Sequence, residues 1–410
     1  MANLTKPPPD SPSVNELEAL LQEELAHGRD LEDRTEVLEL RSGLAVMFAV
    51  IAVAIVLASA VALIFISAGG NDTELPPSDT SAVAGVTGAT APAHDAGATS
   101  GSTTEKVAIA GVERYERPDP TLPAIPAGPV KKFRVEVYEH VTRVSKTQPP
   151  TQVWSYAING KYHRGTGVSE PMVVTEGDQV EITLINGGTK AANVTFPHSI
   201  DYHSSEVAPN DAFRTIEPGE TFKFDFSADH PGVFMYHCAT DPVLLHTGAG
   251  MVGMMVVKPR NLAPVDRELW MMQQEYYIGE PGKIADQKKM AAKTPDVIAF
   301  NGFAAQYKDQ PIAVKKGERI RMYVLNAGPS IWSAFHVIGT VFDTTRVEGV
   351  VGRDAQTINL APSQGGWVEF TLDAEGSFPF VTHAFGDMVT GAVGVLRTAN
   401  APAAKKGASH

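Results

Sequence analysis

With 410 residues, a formal net charge of −13 and one cysteine, the chain is long enough for two domains of ordinary size beside further segments. The acidic balance argues against nucleic-acid binding, because phosphate backbones are held by surfaces rich in Lys and Arg. A single cysteine cannot form an internal disulfide, so this thiol needs another explanation.

An uncharged apolar stretch near the amino terminus predicts a membrane anchor. Residues 43–68 hold no charged side chain and are mainly Ala, Val, Leu, Ile, Phe and Met, and a transmembrane helix needs about 20 such residues. Arg34 and Arg41 lie just before this stretch, whereas no Lys or Arg follows it before Lys106. The positive-inside rule therefore places residues 1–42 in the cytoplasm and the later domains outside a single-pass cell-membrane anchor. A cleaved signal peptide is the alternative.

Three further segments have compositions unlike those of the domains. Residues 1–42 are predicted to be a cytoplasmic segment, and the apolar spacing of residues 14–41 predicts a helix there, either solvated or part of a short coiled coil. Residues 69–105 are rich in Gly, Ala, Ser, Thr and Pro, which predicts a flexible linker, because few large apolar side chains are present to bury. Residues 401–410 are predicted to be a disordered tail.

An internal repeat predicts two successive all-β domains. Residues 171–188 and residues 311–328 share an alternating apolar pattern with a glycine between two short strands, and residues 222–236 correspond in the same way to residues 367–381. Short alternating strands separated by turn residues are typical of antiparallel sandwiches. The sequence thus predicts one β-sandwich over residues 106–260 and a second over residues 261–400.

The only cysteine lies in a loop that has the residues of a copper site. Cys238, His246 and Met251 follow one another closely, and two imidazoles, a thiolate and a weak axial thioether form the ligand set of blue-copper centres. Side chains alternate between the two faces of a strand. If His198 and Cys238 both point into the first sandwich, His198 supplies the fourth ligand.

The same alternation predicts a second metal site. His203 and His237 would lie together on the outer face, near Asp201. Imidazoles with an open coordination position suit a catalytic rather than an electron-carrying copper. A third ligand is still needed, and the second domain offers His336 and His383 at positions of the repeat that correspond to the histidine-bearing strands of the first.

These motifs together resemble the copper-containing nitrite reductases that form nitric oxide, here in a membrane-anchored form. The resemblance covers nearly all of residues 125–398 and rests on His198-x4-His203 with Asp201 inside it, on His237-Cys238-x7-His246-x4-Met251, and on the downstream His336 and His383. It implies two consecutive cupredoxin-type Greek-key sandwiches with one type 1 copper and one type 2 copper per subunit. The chain departs from the family's pattern at several places: Ser199 stands where many members have Asn, residues 204–211 lack the usual glycine-rich run, Thr340 stands where a second glycine is common, and residues 383–387 differ from the usual residues after this histidine. Such departures leave open that the natural oxidant is not nitrite.

The resemblance also implies an assembly and a division of roles. The protein would be a homotrimer in which His203 and His237 of one subunit and His383 of the next bind the type 2 copper. Asp201 and His336 would be the acid/base pair, and Ile338 the apolar residue that restricts how nitrite binds. Electrons from a soluble cupredoxin or cytochrome c would enter at the type 1 copper and pass through Cys238 and His237.

Two other functions compete with nitrite reduction. A two-domain, laccase-like multicopper oxidase would reduce dioxygen, but its trinuclear cluster uses His-x-His and His-Cys-His pairs, whereas this chain has no His-x-His and has Ala239 after Cys238. A tethered electron-transfer cupredoxin would use only the cysteine copper, and the remaining histidines would then have no role.

Overall fold

The computed structural model describes residues 111–403, apart from residues 163, 164, 166 and 188–193. The predicted cytoplasmic helix, the predicted membrane span, the predicted linker and most of the predicted tail lie outside the described residues. In the described range, no helix is long and apolar enough to span a membrane.

The described chain is mainly β-structure, with a few short helices. Its strands, numbered β1 to β19 in chain order, are Val130–Thr142, Thr151–Ile158, Met172–Thr175, Asp178–Asn186, Asp201–Tyr202, Thr221–Ala228, Gly232–His237, Val252–Lys258, Arg267–Tyr276, Val297–Phe300, Ile312–Val314, Arg319–Gly328, Ser333–Val337, Thr344–Val347, Val350–Gly352, Ile358–Leu360, Gly365–Thr371, Ser377–Thr382 and Val393–Thr398. Its helices, α1 to α5, are Pro209–Ala212, Val243–Gly248, Gln287–Ala292, Gln306–Asp309 and Phe385–Thr390.

The first eight strands form two sheets around one core. One sheet has the order β2-β1-β4-β6 and the other the order β3-β8-β7-β5. On β4, Val180, Ile182 and Leu184 alternate with more exposed residues and enter the core, where they share a cluster with Tyr236 and Met255 of the other sheet. The period of two in the sequence thus becomes the inner face of a sandwich.

The remaining strands form a second, larger sandwich. A six-stranded sheet of order β10-β9-β12-β17-β14-β15 is covered by a five-stranded sheet of order β11-β19-β18-β13-β16. Met322 and Phe370 of the first sheet and Phe335 and Phe380 of the second lie in one buried cluster. The predicted arrangement of two all-β units is therefore present in the described chain.

The sequence repeat appears as the same pair of elements in both sandwiches. In each, a short edge strand, β3 or β11, is followed by a long central strand, β4 or β12. The turn between them contains Gly177 at φ 81° or Gly317 at φ 78°. Glycine suits this position because it adopts positive φ without the steric cost of a Cβ.

The sheets contain parallel pairs beside the antiparallel ones. Strand β1 pairs with β4 in parallel, as do β3 with β8, β9 with β12, and β11 with β19. The reason is the crossing of the chain between sheets. After the β1–β2 hairpin, β3 lies in the opposite sheet, and the chain returns as β4 in the direction of β1.

A third apolar cluster joins the two sandwiches. Met235 of β7 and Met254 of β8 pack there with Trp270, Tyr323 and Trp367 of the second sandwich. Tyr236, the next residue, belongs instead to the core of the first sandwich. Strand β7 is thus covered on both faces, and the same alternation continues into His237 and Cys238.

Candidate metal centres

The first candidate centre lies at the end of the first sandwich and consists of His198, Cys238 and His246. The Cys238 Sγ lies 3.3 Å from His246 Nδ1 and 3.8 Å from His198 Nδ1, and the two Nδ1 atoms are 3.1 Å apart. All three residues are buried. The structure therefore brings together His198 and the cysteine loop, which are far apart along the chain and are predicted to share a site.

Met251 belongs to the same loop and is also buried in the core of the first sandwich. The Cys238 N–H donates to the Met251 carbonyl at 3.0 Å, and the Met251 N–H donates to the His246 carbonyl at 3.1 Å. Helix α2 carries His246. The backbone thus holds the predicted axial thioether residue beside the cysteine and the histidine.

The chemistry of this donor set fits a copper ion. Burial would raise the pKa of the Cys238 thiol, but hydrogen bonds with His198 and His246 prevail and hold this pKa well below its usual range. A metal needs the thiolate form. Two imidazoles and a thiolate that converge in a buried loop, with a methionine beside them, are the set that copper electron-transfer sites use.

A carboxylate orients one of the histidines. His198 Nε2 lies 3.4 Å from Glu139 Oε1, which leaves His198 Nδ1 directed at the sulfur. Glu139 is held in turn by the backbone N–H groups of Thr195 and Phe196. Burial lowers the pKa of His198, but its contacts with Cys238 and Glu139 prevail and raise it. Glu139 therefore fixes the ring orientation of a candidate ligand, as carboxylates commonly do for metal-binding histidines.

The second candidate centre consists of Asp201, His203 and His237. His203 Nε2 and His237 Nε2 are 3.1 Å apart, and Asp201 Oδ2 lies 3.9 Å from His237 Nε2. This arrangement follows from strand register, because β5 pairs with β7 so that Asp201 is opposite His237. Burial and the neighbouring His237 lower the pKa of His203. The neutral imidazole that a metal ion requires is thereby favoured.

The second sandwich presents His336 on β13 and His383 just after β18. Their rings stack at 5.1 Å with an interplanar angle of 29°, because β13 and β18 are neighbours and the His383 N–H donates to the Ala334 carbonyl at 2.8 Å. The His336 Nδ1 contacts the Gln356 carbonyl. Burial and the neighbouring His383 lower the pKa of His336, although the Gln356 contact opposes this.

The two sandwiches of one chain do not join these histidines to the first two centres. Within the described ranges, the groups of three or more close metal-binding side chains contain neither His336 nor His383. Ile338 is half-buried, and its N–H donates to the Pro379 carbonyl at 2.7 Å. A shared site of His383 with the two histidines of the first sandwich therefore stays a prediction that requires a neighbouring subunit.

Among the residues that touch the candidate site residues, sequence reasoning missed Glu139 and Gln356. Glu139 is a charged residue inside a buried strand, and that unusual position is a signal that could have marked it. Gln356 contacts His336 through its backbone carbonyl, which any residue type would supply. No sequence signal could have identified it.

Comparisons with known proteins find similarity to copper proteins. A family model described as multicopper oxidase matches residues 139–262. Copper-containing nitrite reductases of Neisseria gonorrhoeae and of Neisseria meningitidis serogroup B are each 36% identical over 239 residues, which cover 56% of this chain and 60% of the relative. The resemblance to copper-containing nitrite reductases is confirmed. The chain spans about 60% of the length of these curated relatives.

Solved structures give the same result for the fold. The copper nitrite reductase from Nitrosomonas europaea has a TM-score of 0.59 at 29% identity, and the match covers 66% of this chain and 94% of that one. The Cu-containing nitrite reductase from Thermus scotoductus has a TM-score of 0.57 at 30% identity, and the match covers 67% of this chain and 63% of that one. The sheets are accordingly of the cupredoxin-like kind found in two-domain nitrite reductases.

Proposed function

We propose that this protein is an oxidoreductase that reduces nitrite to nitric oxide with copper. The observation that carries the proposal is the placement of Cys238 and His237, consecutive residues that belong to two different ligand groups. A redox enzyme needs an electron-transfer centre and a substrate centre close together. The names of the similar proteins support nitrite as the substrate.

The residues for each metal follow from the donor atoms. One type 1 copper would be held by His198, Cys238, His246 and Met251. One type 2 copper would be held by His203 and His237, with His383 of a neighbouring copy. Bound copper would supply one-electron redox chemistry at the first centre and a Lewis-acidic position for nitrite at the second.

The chain itself provides a short route between the two centres. Cys238 and His237 are joined by one peptide unit, and His237 Nδ1 lies 2.9 Å from the Cys238 carbonyl oxygen. This contact orients the imidazole so that its Nε2 faces His203. A soluble cupredoxin or cytochrome c would deliver electrons to the cysteine centre.

Proton supply is the second requirement. Nitrite, one electron and two protons give nitric oxide and water. Asp201 lies beside His237 and is partly exposed, so it would donate a proton to a nitrite oxygen. His336, oriented by the Gln356 carbonyl, would supply or relay the second proton, and Ile338 would restrict how nitrite binds.

The surface around His383 supports a subunit contact. Trp332 precedes β13, and Phe385 and Val389 lie on helix α5; these side chains are 58%, 60% and 76% exposed. The Phe385 ring meets the His383 ring edge to face at 5.1 Å. Exposed apolar side chains are typical of a surface that another chain covers, and Phe385 places one against the His383 ring. A homotrimer would place the His203 and His237 face of the next copy there.

The apolar residues near the amino terminus would decide where the protein lies. Residues 43–68 would anchor it in the cell membrane by a single pass, with both sandwiches outside the cytoplasm. A substrate and a soluble electron donor outside the cytoplasm would then reach the two centres.

A comparison of two oxidants tests the proposed reaction. Copper-loaded full-length protein receives a chemical reductant with either nitrite or dioxygen. The formation of nitric oxide and the consumption of dioxygen are measured. We expect one nitric oxide per electron from nitrite and little oxygen consumption. Dioxygen reduction without nitric oxide would favour the multicopper oxidase, and a blue protein that reduces neither would favour a simple electron carrier.

A further inference from the structure

Three hydroxyl side chains form a connected group beside the cysteine of the first centre. Thr215 Oγ1 lies 2.9 Å from Thr240 Oγ1, and Thr240 Oγ1 donates to Ser199 Oγ at 3.1 Å. Ser199 Oγ lies 3.8 Å from Cys238 Sγ. We call Thr215, Thr240 and Ser199 the hydroxyl chain.

The position of the Ser199 hydrogen follows from its other contacts. A hydroxyl has one donor hydrogen and two acceptor lone pairs. Ser199 Oγ accepts from the Ala239 N–H at 2.9 Å and from Thr240 Oγ1 at 3.1 Å, so both lone pairs are occupied. Ser199 is fully buried, which excludes bulk water as a competing acceptor. The remaining polar contact of the hydroxyl is the Cys238 sulfur.

The sulfur already receives one hydrogen bond from the backbone. The Ser199 N–H donates to Cys238 Sγ at 3.3 Å. A cysteine bound to a metal is a thiolate, which accepts and cannot donate. A hydroxyl hydrogen that points at this sulfur would therefore be a second hydrogen bond from the same residue.

We propose that the Ser199 hydroxyl, oriented by Thr240, donates a second hydrogen bond to the Cys238 thiolate and raises the reduction potential of the type 1 copper. Hydrogen bonds around the cysteine sulfur tune the potential of such sites. They withdraw charge from the thiolate and so favour the reduced metal. Ser199 is a positioning residue, and the inference rests on the proposed copper binding at this centre.

The reduction potential of the type 1 copper in full-length copper-loaded protein tests this role. A redox titration follows it through the blue absorption band. We expect Ser199→Ala to lower the potential and move the absorption maximum to longer wavelength. Thr240→Val should lower the potential less, because Ser199 can still donate but loses its orienting partner. Ser199→Thr keeps a hydroxyl and should keep the wild-type potential. Ser145→Ala, which removes a buried hydroxyl outside the hydroxyl chain, should leave it unchanged.

Either of two results would overturn the inference. One is an unchanged potential in Ser199→Ala, or in Thr240→Val if the alanine variant does not fold. The other is an equal fall in Ser199→Ala and Ser199→Thr, because that result would mean altered packing. A blue protein that shows the expected shifts but produces no nitric oxide would contradict the proposed function and leave this inference standing.

Discussion

Cys238 and His237 are consecutive, yet their side chains face opposite directions. Cys238 Sγ lies 3.3 Å from His246 Nδ1, whereas His237 Nε2 lies 3.1 Å from His203 Nε2. The alternation of strand β7 produces this separation, because its residues face the core of the first sandwich and the second sandwich in turn. The two proposed copper centres can therefore use consecutive residues of the chain.

Replacing Asp201 by Asn should remove a proton donor while copper binding remains. We expect the rate of nitric oxide formation to fall by about 100-fold or more, since positioned acid/base groups contribute about that much. The measurement is the steady-state rate together with copper content per chain. The control is Asp211→Asn, which changes an exposed carboxylate close by in the sequence. An unchanged rate in the Asp201 variant would rule out the assigned role.

The buried carboxyl of Glu275 should make stability depend on pH. Burial raises the pKa of Glu275 above its ordinary value of 4.5, although hydrogen bonds from Tyr277, Ile331 and Ser330 oppose this. The folded state then binds more protons than the unfolded state. The stabilising contribution is complete below pH 4.5 and is lost as the pH rises through the raised value.

Two variants of Glu275 test this expectation by thermal unfolding at several pH values. Glu275→Gln keeps an oxygen that can accept from Ser330 and Ile331 but carries no charge, so its unfolding midpoint should change less with pH than that of the wild type. Glu275→Ala leaves the N–H groups of Ser330 and Ile331 without their acceptor. Its free energy of unfolding should fall by about 1–3 kcal/mol for each of these groups. Parallel pH curves for the wild type and Glu275→Gln would contradict the expectation.

Mixed subunits test whether the substrate centre is shared between chains. His203→Ala and His383→Ala proteins should each be inactive alone. Co-expressed, they should regain part of the activity, because an interface between the intact first sandwich of one chain and the intact second sandwich of another restores all three histidines. No recovery in verified mixed assemblies would place the third ligand within a single chain.

Local sequence patterns predicted the strands, the turns and the cysteine loop better than the contacts between distant segments. The period of two and the turn glycines predicted the sandwiches. The spacing around Cys238 predicted His246 and Met251 beside it, and strand alternation predicted His198 there. The parallel pairing of β1 with β4 depends on how the chain crosses between sheets, which no local pattern records. The contacts of Glu139 with His198 and of Gln356 with His336 also join distant segments. They became visible only in three dimensions.

Nitric oxide production from nitrite, measured for copper-loaded full-length wild type beside His383→Ala, tests most directly whether a second copper reduces the substrate. We expect both proteins to keep the blue absorbance of the Cys238 centre and only the wild type to form nitric oxide. Equal nitric oxide production by the two proteins would contradict a substrate centre that depends on His383.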